Sequence, residues 1–156
     1  MELEFIRWLR EHVPRHPNAP LGLSDDAAIV SLGTQSNIVV TIDTLTDGID
    51  FRVAVDAPRR IGRQALGANL SDLAAMAATP IAAVVSLVLP RNNPTTNDSL
   101  KLAIGLYEGL LPLAREYDVA LAGGDTNTFD GPVVISVAAI GRPVSRGPLT
   151  RSGGKV

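Results

Sequence analysis

The run Ile81-Ala82-Ala83-Val84-Val85-Ser86-Leu87-Val88-Leu89, bracketed by Pro80 and Pro90, has almost no polar face. A strand with one wet face alternates apolar and polar residues, so a run like this predicts a strand buried on both faces. The β-branched run Ile38-Val39-Val40-Thr41-Ile42 and the stretch Pro132 to Ile140 have the same character, and Val119-Ala120-Leu121-Ala122 is a shorter version. Ala27 to Val30 adds one more strand-like segment.

Helical patterns separate these runs. Leu3, Ile6, Leu9 and Val13 fall at helical spacing with Phe5 and Trp8 beside them, which predicts an amphipathic opening helix over residues 2–13, stopped near Pro14. Pro58 to Ala78 is a long run of mostly Ala, Leu, Ile and Gly. Leu100 to Tyr117 reads as another amphipathic helix, capped by Asn97, Asp98 or Ser99. Leu100, Ile104, Leu111 and Ala114 mark its expected core stripe, and Pro112 is expected to kink or break it. The order helix, strand, strand, helix, strand, helix, strand, strand predicts a mixed α/β (α+β) fold, a mixed sheet with helices packed on one face. Residues 1–141 form the expected domain, and 142–156, with Arg142, Arg146, Arg151 and Lys155 among glycines, read as the start of a linker.

Composition narrows the function classes. With 46% hydrophobic and 19% charged residues in a chain of 156, the protein is globular and long enough to bury a core. A net charge of −2 gives no electrostatic case for nucleic acid or an anionic membrane. No apolar run approaches the ~20 residues of a membrane span, and residues 1–13 lack the apolar centre of a signal peptide. The absence of cysteine excludes disulfides, thiolate metal sites and cysteine nucleophiles, and suits a reducing, cytoplasmic setting. His12 and His16 sit four apart, but Pro14 breaks the helix that would align them, so both are read as surface residues.

Acids punctuate the chain instead. Ser24-Asp25-Asp26 precedes the first strand, the second apolar run, Asn37 to Thr44, ends in Asp43 and Thr44, Asp72 lies in the apolar helix, and Gly123-Gly124-Asp125-Thr126 follows a short strand. Each has a modest explanation taken singly: a turn, a cap, or a tight loop. Asp72 is the costliest, because a carboxylate in apolar surroundings loses hydration unless a cation or donors compensate. Asn69 lies three residues before it, on the same helix face. Strand-end carboxylates with no accompanying cysteine or well-placed histidine suit an all-oxygen Mg²⁺ site, of the kind that bridges acids to nucleotide phosphates.

The motifs Ser24-Asp25-Asp26-Ala27-Ala28, Thr41-Ile42-Asp43-Thr44-Leu45, Ala68-Asn69-Leu70-Ser71-Asp72-Leu73-Ala74-Ala75-Met76, Gly123-Gly124-Asp125-Thr126 and Leu149-Thr150-Arg151-Ser152-Gly153 occur in that order. Together they resemble the amino-terminal domain of the thiamine-monophosphate kinases, within the aminoimidazole ribonucleotide synthetase-like superfamily. The resemblance implies transfer of the ATP γ-phosphoryl to thiamine monophosphate, giving thiamine diphosphate, with no protein nucleophile or base. It implies that Asp26, Asp43, Asp72 and Asp125, with Thr41 and Ile42, hold Mg²⁺, and that Gly124, Asp125, Arg151 and Tyr107 meet ATP. It also implies a homodimer whose sheets close a barrel. Three features depart from the family pattern: Ser24 replaces a glycine, Asp50 replaces a substrate-touching histidine, and the family continues into a second α/β domain beyond Arg151-Ser152-Gly153. A non-catalytic dimerisation or nucleotide-binding module, and a sister enzyme with another small substrate, are the competing expectations.

Overall fold

The structure, a computed structural model, describes residues 27–31, 37–91 and 99–154. The expected opening helix, His12, His16 and the Ser24-Asp25-Asp26 motif lie outside the described residues. Five strands form one sheet: β1 (Ala28–Ser31), β2 (Asn37–Thr46), β3 (Ala78–Pro90), β4 (Ala120–Phe129) and β5 (Val134–Pro143). Their order across the sheet is β1-β2-β5-β3-β4. Among the described residues the β3–β4 pair alone is parallel, and the other three pairs are antiparallel. The mixed α+β architecture expected from the sequence is the one observed.

Two helices cover one face of this sheet. The first, α1 (Pro58–Ala75), opens on a proline, which suits a helix start because its missing N–H would have had no helical partner. It ends at Met76 and Ala77; the latter turns left-handed at φ 51°, so that β3 begins at once at Ala78. The second helix is α2 (Ser99–Glu116). The core lies between sheet and helices: Val39, Val85, Leu87, Ile135 and Val137 from the strands meet Ile61, Leu66, Leu73, Leu102, Leu106 and Leu110 from the helices, all fully or almost fully buried.

The helices approach each other unusually closely. A Cβ on Gly62 would lie 1.8 Å from the Leu106 carbonyl oxygen, and one on Gly109 would lie 1.7 Å from that of Arg59. Glycine on both sides is therefore what allows α1 and α2 to touch backbone to backbone.

Several sequence expectations are corrected. The buried stripe of α2 is Leu102, Leu106, Gly109, Leu110, Leu113 and Ala114; Leu100 and Ile104 are exposed. The helix is apolar on more than one side, and the stripe that fits α1 carries the glycine that permits contact. Pro112 does not break α2: both it and Glu108, the residue whose carbonyl loses its helical partner to the proline ring, are exposed. Ser99 donates its hydroxyl hydrogen bond to the Pro90 carbonyl at 2.8 Å, tying the helix start to the end of β3. Strand β3 is covered on one face only, since Val84 is 39% exposed while Val85 is buried. Strand β5 continues to Pro143, past the expected boundary at residue 141. The segment after it folds back on the end of α1, where Val144 N–H donates to Ala77 O (3.2 Å) and Leu149 N–H to Met76 O (3.0 Å).

Candidate metal and nucleotide site

Strand β2 does not stop at Thr44 as expected; it runs on to Thr46, and its alternation sorts the motif Thr41-Ile42-Asp43-Thr44 between two faces. Thr41 is buried at 4% exposure and faces α1 with Asp43, whereas Ile42 is 68% exposed on the open face with Thr44. Eight residue pairs to β5, which itself is held by β3, make this a rigid support.

Helix α1 brings Asp72 to the same place. The Thr41 hydroxyl donates to Asp72 Oδ2 at 2.6 Å, a short charge-assisted bond across 31 residues of sequence. Asp43 is also close: burial first, and the negative charge of Asp72 second, push its carboxyl pKa above the ordinary value. Two carboxylates and a hydroxyl thus converge where β2 meets α1, with like charges raising the cost of keeping both ionised. A hard cation reverses that cost. Oxygen donors from Asp43, Asp72 and Thr41 fit Mg²⁺, which takes few protein ligands and keeps waters in the rest of its shell.

Asn69 lies one turn before Asp72 in the same helix. It is fully buried, its Nδ2 donates to the Ala65 carbonyl at 3.1 Å, and its Oδ1 has no hydrogen-bond partner. The sequence pattern placed Asn69 and Asp72 on one face but held no sign of this unpaired acceptor.

The remaining expected site residues lie apart from the pair. Gly123-Gly124-Asp125-Thr126 is not a loop after a short strand: it is the middle of β4, because parallel pairing to β3 overrides the local turn preference. Gly124 pairs with Val85, and a Cβ there would lie 1.9 Å from the Val85 carbonyl oxygen, so close backbone approach explains this glycine. Register aligns Asp125 with Ser86, then Ser136, then Thr44, a row on the open face; the Thr44 and Ser136 hydroxyls hydrogen-bond to each other at 2.6 Å. Asp125 is exposed and does not join Asp43 and Asp72: among the described residues no three acids or histidines cluster around one point. Asp26 lies outside the described residues. Asp50 is exposed, and its carboxylate closes a local turn by accepting the Thr46 N–H at 2.7 Å. Tyr107 is half-buried on α2, packed against the core.

Arg151 begins a short 3₁₀ turn (Arg151–Gly153) and lines a recess of about 440 Å³ with Ala75, Pro148, Leu149 and Thr150. Ala75 is one turn from Asp72, so this recess opens at the same end of α1 as the carboxylate pair. A second groove, about 700 Å³, runs along the helices past Arg60, Gln64, Ala68, Ser71, Leu113 and Tyr117; among the described residues no carboxylate lines it. No helix among the described residues is long and apolar enough to cross a membrane.

Comparison with known proteins adds the family context. The pattern of the family described as AIR synthase related protein, N-terminal domain, matches residues 24–142. The chain is 40% identical to a thiamine-monophosphate kinase of Rhodopirellula baltica over 90% of this chain and 45% of that protein. It is 32% identical to the thiamine-monophosphate kinase of Bacillus subtilis over 90% of this chain and 42% of that protein. The chain therefore spans less than half the length of these curated relatives. Among solved structures, AaThiL complexed with AMPPCP and TMP superposes with a TM-score of 0.78 at 22% identity, over 99% of this chain and 44% of that one, a likeness of fold.

Proposed function

Because the chain belongs to the family of AIR synthase related proteins through their N-terminal domain, we propose that it is the Mg²⁺- and ATP-binding part of a thiamine-monophosphate kinase. The reaction is transfer of the ATP γ-phosphoryl to a phosphate oxygen of thiamine monophosphate, giving thiamine diphosphate and ADP. The observation that carries the reading is the convergence of Asp43, Asp72 and Thr41 at the junction of β2 and α1. The names of the relatives, and the nucleotide analogue in AaThiL complexed with AMPPCP and TMP, support it.

Phosphoryl transfer is catalysed mainly by positioning and by neutralising charge on the phosphates. Magnesium, when bound, supplies that neutralisation. Asp43, Asp72 and Thr41 would hold it, with Asp26 and the Ile42 carbonyl as further proposed contacts, while Asp125, on the open face three strands away, is left to the nucleotide. Gly124, Asp125, Arg151 and Tyr107 bind ATP, and Asp50 faces the cationic thiazolium of the substrate. The reading includes a cytoplasmic homodimer in which the open faces of two sheets close a barrel, which would cover Ile42, Val84 and the Thr44–Ser136 row.

One observation favours a second reading. Asp125 stands apart from the Asp43–Asp72 pair, so a nucleotide-binding and dimerising module without turnover is the alternative. The two separate in one experiment. Calorimetric titration with MgAMPPCP reports binding, and chromatography of thiamine phosphate incubated with MgATP reports turnover. Binding that falls at least tenfold in both Asp43→Asn and Asp72→Asn supports the site. Thiamine diphosphate above the enzyme-free control establishes the kinase, and binding without product establishes the module. Unchanged MgAMPPCP affinity in both variants would sink the proposed site.

A further inference from the structure

We infer that Asn69 is a positioning residue for the cation site: its Oδ1 accepts a hydrogen bond from a water in the shell of a magnesium ion held by Asp43 and Asp72. The inference rests on the proposed reading of that pair as a magnesium site.

Asn69 is poorly explained by the fold alone. Asparagine is a mediocre helix former, and this one lies inside an 18-residue helix on its buried face, between Leu66 and Leu73. The hydrogen bond it makes adds little to the helix. Its partner, the Ala65 carbonyl, is the same i−4 acceptor that the regular helical pattern assigns to the Asn69 backbone N–H. The other half of the amide, Oδ1, is buried and unpaired. An apolar residue would avoid that penalty, because removing a buried unsatisfied group is neutral or stabilising when the shape is kept.

What lies next to Asn69 suggests why an acceptor is kept there. Asp72 is three residues on, on the same helix face, and its Oδ2 is already committed to the Thr41 hydroxyl. Magnesium retains most of its waters, and those waters are strong donors that need acceptors beyond the direct ligands. A neutral carbonyl is suited to that task beside two carboxylates. It accepts without adding a third negative charge, and its cost to the empty protein is offset only when the ion is present. Partners of this outer kind typically change metal affinity by ten- to a hundredfold when removed.

The test compares wild type, Asn69→Leu and Asp72→Asn in two measurements, thermal melting without divalent ions and calorimetric titration with MgCl₂ alone. For Asn69→Leu the expected result is a melting temperature unchanged or raised in the absence of magnesium, together with magnesium affinity at least tenfold weaker. A lowered melting temperature with unchanged affinity would make Asn69 a purely structural residue and overturn the inference. If Asp72→Asn keeps wild-type affinity, the magnesium site itself is wrong and the inference falls with it. If Asp72→Asn loses binding and Asn69→Leu does not, only the inference falls. Should Asn69→Leu not fold, Asn69→Ser, which keeps an acceptor oxygen, is expected to bind magnesium between wild type and Asn69→Ala. Asn69→Ser affinity equal to that of Asn69→Ala would count against the role. In the unsubstituted chain, the Asn69 side-chain amide resonances should shift as magnesium is added, and fixed resonances at saturation would refute it.

Discussion

The hydroxyl of Thr41, buried on strand β2, is 2.6 Å from Oδ2 of Asp72, which is half-buried on helix α1. The bond fixes the rotamer of the carboxylate and links sheet to helix at the point where the negative charges gather. Thr41→Val keeps the shape and removes the donor. It should lower stability by about 1.5 kcal/mol, the worth of a hydrogen bond to a charged group. Urea unfolding followed by circular dichroism checks this; an unchanged midpoint would mean that Asp72 finds another donor at no cost.

Asp43 makes stability depend on pH. Its folded-state pKa lies above the ordinary value, through burial and through Asp72. The native state therefore holds this proton more tightly than the unfolded chain does. The stability from that proton is complete below the unfolded pKa and is lost as pH rises through the raised folded one. Asp43→Asn should remove this dependence and stabilise the metal-free protein at neutral pH by about 0.5 kcal/mol, a small gain because solvent screens the partly exposed pair. Melting curves from pH 4 to 8 in EDTA test the sign: a wild-type profile that rises with pH to the same extent in the variant would contradict it.

The glycines between the helices should divide sharply. Gly62→Ala and Gly109→Ala each place a methyl group inside van der Waals contact with a backbone carbonyl of the other helix, and each should cost at least about 2 kcal/mol. Gly67, also in α1, has only the Leu113 Cδ2 at 3.8 Å from a new Cβ. Gly67→Ala should be neutral or stabilising by about 0.5 kcal/mol through helix propensity. Equal effects at Gly62 and Gly67 in denaturant unfolding would contradict the close approach of α1 and α2.

Val84 tests the proposed pairing of sheets. It sits mid-strand on the open face, in register with Ala138 and Gly123. Val84→Lys should leave the circular dichroism spectrum intact and shift the mass measured by light scattering from dimer to monomer at micromolar concentration. A dimer that survives the lysine would place the interface elsewhere.

Much of this architecture is legible locally. The β-branched and alanine-rich runs around Val39, Val85 and Val137 form strands because little else can bury them, and the long apolar stretch from Pro58 is a helix as expected. The phase of α2 is harder: Leu100 and Ile104 are as apolar as Leu102 and Leu106, and only the position of α1 decides which pair is buried. Likewise, Gly123-Gly124-Asp125-Thr126 has turn residues throughout, yet pairing with a strand some forty residues earlier extends it. The contact of Thr41 with Asp72 lies across 31 residues, so no local periodicity reveals it; the order of the acidic motifs is the one sequence signal that joins those positions. Asn69 could be placed on a face but not seen to be unpaired, since that depends on every neighbour.

The strand order has a consequence for how the chain acquires its structure. β5 is the last of the described strands in sequence and central in the sheet, bonded on one side to β2 and on the other to β3. Until Val134–Pro143 has left the ribosome, the two earlier halves share no strand neighbour, and their apolar edges wait unpaired. Contacts of such long sequence separation form slowly. A nascent chain paused before residue 134 would thus be a client for chaperones, and the sheet would close in a single late step.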